Sequence, residues 1–237
     1  MRNSKGFTLV ELSIVIVIIG FLVAGVSAGT NMIETVKLKK VVTDFQTYDI
    51  TVSSFKSQYG YLPGDIPHAT SYWSNDCLDG GGPYTCNGNG DGVFTTPGDA
   101  TFEGTRAFQH LALAKIIKGG YSGYGSYGIS RAPGISTPLT PIDSGCYDYF
   151  NWGFGGPNII FRFGSATEPN CNNPILKPAQ ALFIEEKIDG DNGYSTGKIF
   201  GLCLAGGRTV GPNDVYNLGN DNVLCRLILR LDVNKMN

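Results

Sequence analysis

The chain is 237 residues long, with a formal net charge of −2 and an isoelectric point near 5.7. That balance argues against a nucleic-acid binder, because neutralising phosphates takes a basic face. Charged residues make up 16% while glycines number 33, about twice the usual share of ~7%, and with 11% aromatics this describes a folded, loop-rich domain rather than a disordered chain.

The first predicted element starts in "KGFTLVEL", Lys5 to Leu12, and continues through "SIVIVIIGFLVAGVSAG". No charged side chain lies from Leu12 to Ile33, which is long enough for a helix to cross a bilayer, where about 20 apolar residues suffice. A secretory signal has a shorter apolar centre, about 7 to 15 residues. Ser27-Ala28-Gly29 resembles its cleavage site, but the run before it is too long and carries Glu11. A plain membrane anchor explains the length and leaves Glu11 as a cost on the order of 3 kcal/mol if ionised deep in the bilayer. After Ile33 the pattern changes without a break. Leu38, Val41, Val42, Phe45, Tyr48, Val52, Phe55 and Tyr59 recur at helical spacings, with lysines and polar residues between them, which is an amphipathic stripe. No proline interrupts residues 7–59, so one helix of about 53 residues and ~80 Å is expected.

These residues resemble the N-terminus of a type IV prepilin or a type II secretion pseudopilin: a short basic leader ending in Gly6, then Phe7, then Thr8-Leu9-Val10-Glu11-Leu12 and an apolar helix. The resemblance implies a leader over 1–6, cleavage of the Gly6-Phe7 bond by a prepilin peptidase, and N-methylation of Phe7. It also implies a partner for Glu11, the Phe7 amine of a neighbouring copy in a filament. Two charges in an apolar bundle are tolerable only when paired, and stranding one costs roughly 3 to 5 kcal/mol. Cleavage is thereby coupled to assembly, because the uncut chain offers an amide at Phe7 and no amine. Gly20, Gly25 and Gly29 each cost about 1 kcal/mol of helix propensity. They read either as close packing between membrane helices or, by the resemblance, as a helix that partly melts around Gly20 in a filament.

Beyond Tyr59 the order reads as mixed α+β. Pro63-Gly64 turns the chain, 74–101 is a Gly/Asn/Asp-rich loop, and 104–118 is a second helix closed by Gly119-Gly120. A Gly/Pro/Ser-rich loop covers 119–145, and strands are expected at 158–163, 181–187, 198–204 and 223–231. The expected fold is therefore α+β, a long N-terminal helix packed on a small antiparallel sheet domain with long loops. Its expected organisation is a leader over 1–6, a helix over 7–59 with the membrane anchor at about 7–33, and a globular domain over 60–237. "YGYLPGDIPHATSYW", with "NGNGDGVF" and "FQHLALAKIIKGGY" after it, resembles a longer subgroup of pilin-like proteins.

All six cysteines, Cys77, Cys86, Cys146, Cys171, Cys203 and Cys225, follow the apolar block. None has the C-x2-C spacing of a zinc site. Disulfides in an oxidising compartment are expected, with free buried thiols as the alternative. Cys77 and Cys86 bracket one loop, Cys203 and Cys225 fall in two expected strands, and Cys146 and Cys171 remain; this is one of the fifteen pairings six cysteines allow.

Two oxygen-rich loops are candidate calcium sites. Asn87, Asn89 and Asp91 in "NGNGDGVF" follow the front half of an EF-hand loop, but the twelfth position, a bidentate Glu in that motif, is Gly98. Asp189, Asp191 and Asn192 form the second loop. An Asn-Gly turn and a tight turn are the competing readings. "GYSTG" at 193–197 fits a nucleophile elbow, yet His68 and His110 both precede Ser195 where that order requires a later His. "GYGSYG" at 123–128 fits G-x-G-x-x-G but runs into prolines where a helix is required. His110 reads as a packing residue and His68 as a solvated loop residue.

The resulting expectation is a structural subunit of a type IV pilus or a secretion pseudopilus, without catalytic residues or a cofactor other than the candidate calcium. Its expected partners are other pilin-like subunits through the N-terminal helix, the prepilin peptidase, an inner-membrane assembly platform and membrane lipid. The expected location is the bacterial inner membrane with the domain in the periplasm, then a filament. The alternatives are a minor tip adhesin or priming subunit and a membrane-anchored exported enzyme.

Overall fold

In the computed structural model, which describes residues 6–77, 86–94, 103–123, 133–151, 159–166, 171–190, 197–204, 207 and 215–231, the chain begins as helix α1, Leu9–Tyr59, of 51 residues. Thr8 caps its N-terminus in an extended conformation, and Gly60 ends it at φ +76°, donating its N–H to the Lys56 carbonyl. Glycine suits that left-handed position because it has no Cβ to clash there. The helix continues unbroken across Gly20, Gly25 and Gly29.

From Gly6 to Val36 every residue is exposed. From Leu38 on, one stripe is buried, comprising Leu38, Val41, Phe45, Tyr48, Val52 and Phe55. This stripe lies on a four-stranded antiparallel sheet of order β1-β2-β4-β3. The strands are β1 Gly145–Asn151, β2 Ile159–Ser165, β3 Ile199–Cys203 and β4 Cys225–Arg230. The described residues of the domain also form α2 Thr70–Trp73, a 3-10 turn at Ser74–Cys77, α3 Glu103–Leu113 and α4 Pro178–Ile188. An α+β arrangement of a long helix and a small antiparallel sheet is thus what the sequence builds.

Phe161 on β2 is at the centre of the core. Its ring lies 5.3 Å from Phe45, 5.0 Å from Tyr48 and 4.9 Å from Tyr149, and such aromatic pairs add about 0.5 to 1.5 kcal/mol each beyond buried area. Strand alternation sends Ile160 and Arg162 to the opposite face, where Ile160 joins Ile228 and Phe200. There Arg162 makes a bidentate pair with Asp148 across the β1/β2 register, at 2.9 and 2.6 Å, with its guanidinium over Phe150. Polar ties hold α1 to the domain along its length: Gln180 Nε2 donates to Glu34 Oε1 at 2.6 Å and Tyr147 Oη to Asp44 Oδ2 at 2.9 Å, while Lys198 bonds Asp49.

Three expectations are corrected. Residues 181–187 are helical, within α4, not a strand: Pro178 occupies the first turn, the Lys177 N–H donates to Gln180 Oε1, and Ala181, Ile184 and Glu185 are buried on one side, matching the known preference for proline at a helix start. The second helix ends at Leu113, before the expected 118, and Lys115 has φ +59°. The fourth strand is β1, which starts at the last residue of the stretch expected as loop and runs through residues to which no element was assigned.

Candidate functional site

The N-terminal end of α1 brings the candidate processing and assembly residues together. Gly6 and Phe7 precede the helix and are exposed. Thr8 and Glu11 form a capping box: the Thr8 N–H and Oγ1 both donate to Glu11 Oε2 at 2.8 Å, and the Glu11 N–H donates to Thr8 Oγ1 at 3.3 Å. The box satisfies backbone donors that a helix start otherwise leaves open, and it places a negative charge at the positive end of the helix dipole. Both of these contacts to the Glu11 carboxylate use Oε2. Thr8 is the residue that sequence reasoning passed over, although Thr-x-x-Glu before an apolar run is a readable cap signal.

Behind this end, α1 is long and apolar enough to cross a membrane, and none of its most apolar stretch is buried within the chain. The domain that follows is closed by disulfides Cys77–Cys86, Cys146–Cys171 and Cys203–Cys225, with no free cysteine. The last joins directly opposed residues of β3 and β4. By loop-closure entropy the three contribute about 2.7, 3.5 and 3.4 kcal/mol in chain order.

The "NGNGDG" loop is folded around a buried acid. Asp65 accepts the N–H groups of Gly90 at 2.6 Å and Gly92 at 2.9 Å, and Glu103 accepts that of Asn89 at 2.8 Å. The side-chain oxygen of Asn87 accepts the Thr70 N–H, and that of Asn89 the Asp91 N–H. Asp91 is the candidate ligand that lies beside other acids, its carboxylate within 4.8 Å of those of Asp65 and Glu103. Burial, opposed by the Gly92 and Gly90 N–H groups and reinforced by Glu103 and Asp91, pushes the Asp65 carboxyl up to about 7. Calcium takes six to eight oxygens; here the loop turns the amides of Asn89, Gly90 and Gly92 inward on carboxylates, and the acids grouped there are Asp65, Asp91 and Glu103. In the second candidate loop Asp189 Oδ2 accepts the Ile199 N–H, while Asp191 lies outside the described residues.

His110 is buried on α3. Its Nδ1 accepts the Gly64 N–H at 2.8 Å and its Nε2 donates to the Cys86 carbonyl at 2.9 Å, which assigns a neutral ring protonated at Nε2. Burial lowers its pKa to about 4. It therefore ties the Pro63-Gly64 turn to the Cys77–Cys86 loop. His68 is exposed. Ser195, residues 124–128 of "GYGSYG" and residues 1–5 lie outside the described residues.

Residues 1–27 match the prokaryotic N-terminal methylation motif. No curated protein and no solved structure matches the chain. The motif is the signature of type IV pilin and pseudopilin precursors, and here it runs into an exposed apolar helix long enough for a single-pass membrane anchor.

Proposed function

We propose that the chain is a structural subunit of a type IV pilus or a type II secretion-like pseudopilus. Residues 1–6 form its leader, 7–59 its helix and 60–237 its globular domain. The peptidase cuts Gly6-Phe7 and methylates the Phe7 amine, and the subunit waits in the inner membrane with its domain in the periplasm until the assembly platform takes it up. The observation that carries this reading is the position of Glu11 at the front edge of the exposed apolar half of α1, one turn from an accessible Gly6-Phe7 junction. In the single subunit Thr8 holds Glu11 through Oε2. In the filament the neighbour's Phe7 amine neutralises the same carboxylate, which an apolar bundle otherwise makes costly.

N-terminal mass spectrometry of the membrane-extracted protein tests the processing step, with a methylated chain starting at Phe7 as the expected result. Glu11→Val is expected to be inserted and cut normally but to enter filaments poorly. A chain starting at Ser4 or after Ala28, or normal filament entry by Glu11→Val, refutes the reading.

A further inference from the structure

A cavity of about 260 Å³ opens where α1 passes from its exposed half into the domain, between Thr30, Ile33, Glu34 and Lys37 on the helix and Ile142 and Gln180 opposite. Its depth in a membrane follows from the helix itself. The uncharged stretch from Leu12 to Ile33 rises ~33 Å as a helix, close to the ~30 Å hydrocarbon core of a bilayer. With Glu11 at one boundary, Glu34 comes at the other. Thr30 and Ile33 then lie level with the ends of the acyl region, and Glu34, Lys37 and Gln180 level with the headgroups.

The polar lining carries both signs, and the Lys37 pairing is loose. Lys37 Nζ is 3.6 Å from Asp143 Oδ2, whose side chain is 99% exposed. The carboxylate of Glu34 takes its bond from a neutral amide, Gln180 Nε2. Just ahead of α4 the arrangement repeats, with Lys177 Nζ 3.6 Å from Asp221 Oδ1, a side chain 96% exposed. Exposed ion pairs of this kind contribute little, so each member can exchange its partner for another ion of the same sign.

We propose that this cavity seats the headgroup of a zwitterionic aminophospholipid from the bilayer that α1 crosses, with the phosphate on Lys37 Nζ, the primary ammonium on the Glu34 carboxylate and an acyl chain along Ile33. The lysine stem lies along the helix while its charge reaches the phosphate, and both contacts are charge-assisted hydrogen bonds. Charge complementarity selects the occupant. A choline headgroup has no N–H to donate to Glu34, and a glycerol headgroup has no cation. The proposal rests on membrane insertion through α1, so insertion is measured separately.

The test is native mass spectrometry of the full chain, taken from detergent containing equal amounts of phosphatidylethanolamine, phosphatidylcholine and phosphatidylglycerol. One retained phosphatidylethanolamine per chain, at least fivefold over either competitor, is expected. Lys37→Gln and Glu34→Gln should each abolish that preference, while Lys39→Gln, outside the cavity, keeps it. Equal retention of the three lipids, a preference that survives both cavity substitutions, or a second copy of the chain that displaces the lipid overturns the proposal. Alkali-resistant association of the same chain with vesicles reports insertion: a chain that inserts without headgroup preference overturns the lipid site alone, and one that does not insert overturns the membrane reading with it.

Discussion

The two halves of α1 share one backbone geometry and have opposite surroundings. From Leu12 to Ile33 no side chain is charged, apolar ones lie on every side of the helix and all are exposed; from Lys37 to Tyr59 lysines, acids and hydroxyls alternate with a stripe that is buried against β1, β2 and α3. A stripe selects one partner and one orientation, whereas an all-round apolar surface selects only an apolar solvent. The second half therefore belongs energetically to the domain and the first does not.

The largest expected effect that separates them is truncation of the stripe. Phe45→Ala should lower domain stability by about 3 to 5 kcal/mol, while Val17→Ala leaves it unchanged, both read as the urea midpoint of near-UV circular dichroism on the mature chain in detergent. Equal shifts would erase the distinction. Next, replacing Cys203 and Cys225 together by alanine should cost about 3.4 kcal/mol in the same assay without altering vesicle association.

The pH dependence is also confined to the domain. His110 has its pKa lowered from 6.5 to about 4, so the unfolded chain takes up a proton that the fold refuses. Its contribution is complete above pH 6.5 and falls by about 3 kcal/mol as pH drops to 4. Asp65 works in the opposite sense: raised from 3.8 to about 7, it favours the fold at low pH and loses that contribution as pH rises through 7. The two slopes oppose one another, so the wild type should be nearly flat between pH 4 and 6.5 and Asp65→Asn should lose stability on acidification. A flat profile for the variant would show that His110 is not held neutral. The smallest effect belongs to the first half: Thr8→Val removes a cap worth ~1 kcal/mol, and faster amide exchange confined to the first turn of α1 would show it.

Much of this was legible in the sequence, and the failures have physical causes. α1 could be read because no proline interrupts it and its apolar spacing persists to Tyr59. β2 and β3 could be read because each is a compact β-branched or aromatic run, and β4 because the apolar run Leu227-Ile228-Leu229 stands between two arginines. β1 was missed because "GCYDYFN" carries Asp148 in its middle, and that acid is acceptable only beside Arg162, fourteen residues later on the paired strand. In α4 the run Leu182-Phe183-Ile184 resembles a strand, and Pro178 with Gln180 decides for a helix. The Thr8 cap is legible as Thr-x-x-Glu before an apolar run, but a carboxylate in an apolar setting equally signals a partner outside the chain, and the sequence does not separate the two. The enclosure of Asp65 had no local signal: Gly90, Gly92 and Glu103 reach it from distant positions.

Because α1 is a single unbroken helix, it also fixes a phase. Each residue turns about 100° around the axis and advances 1.5 Å, so the number of residues between Glu11 and the first buried position, Leu38, sets the azimuth at which the domain stands relative to the carboxylate. One residue inserted at Gly25 would leave the composition, caps, disulfides and core intact, yet swing the domain through more than a quarter of a circle. The uncharged stretch is thus a shaft with a keyed end, and its length in residues is as much a part of the subunit's shape as any surface of the domain.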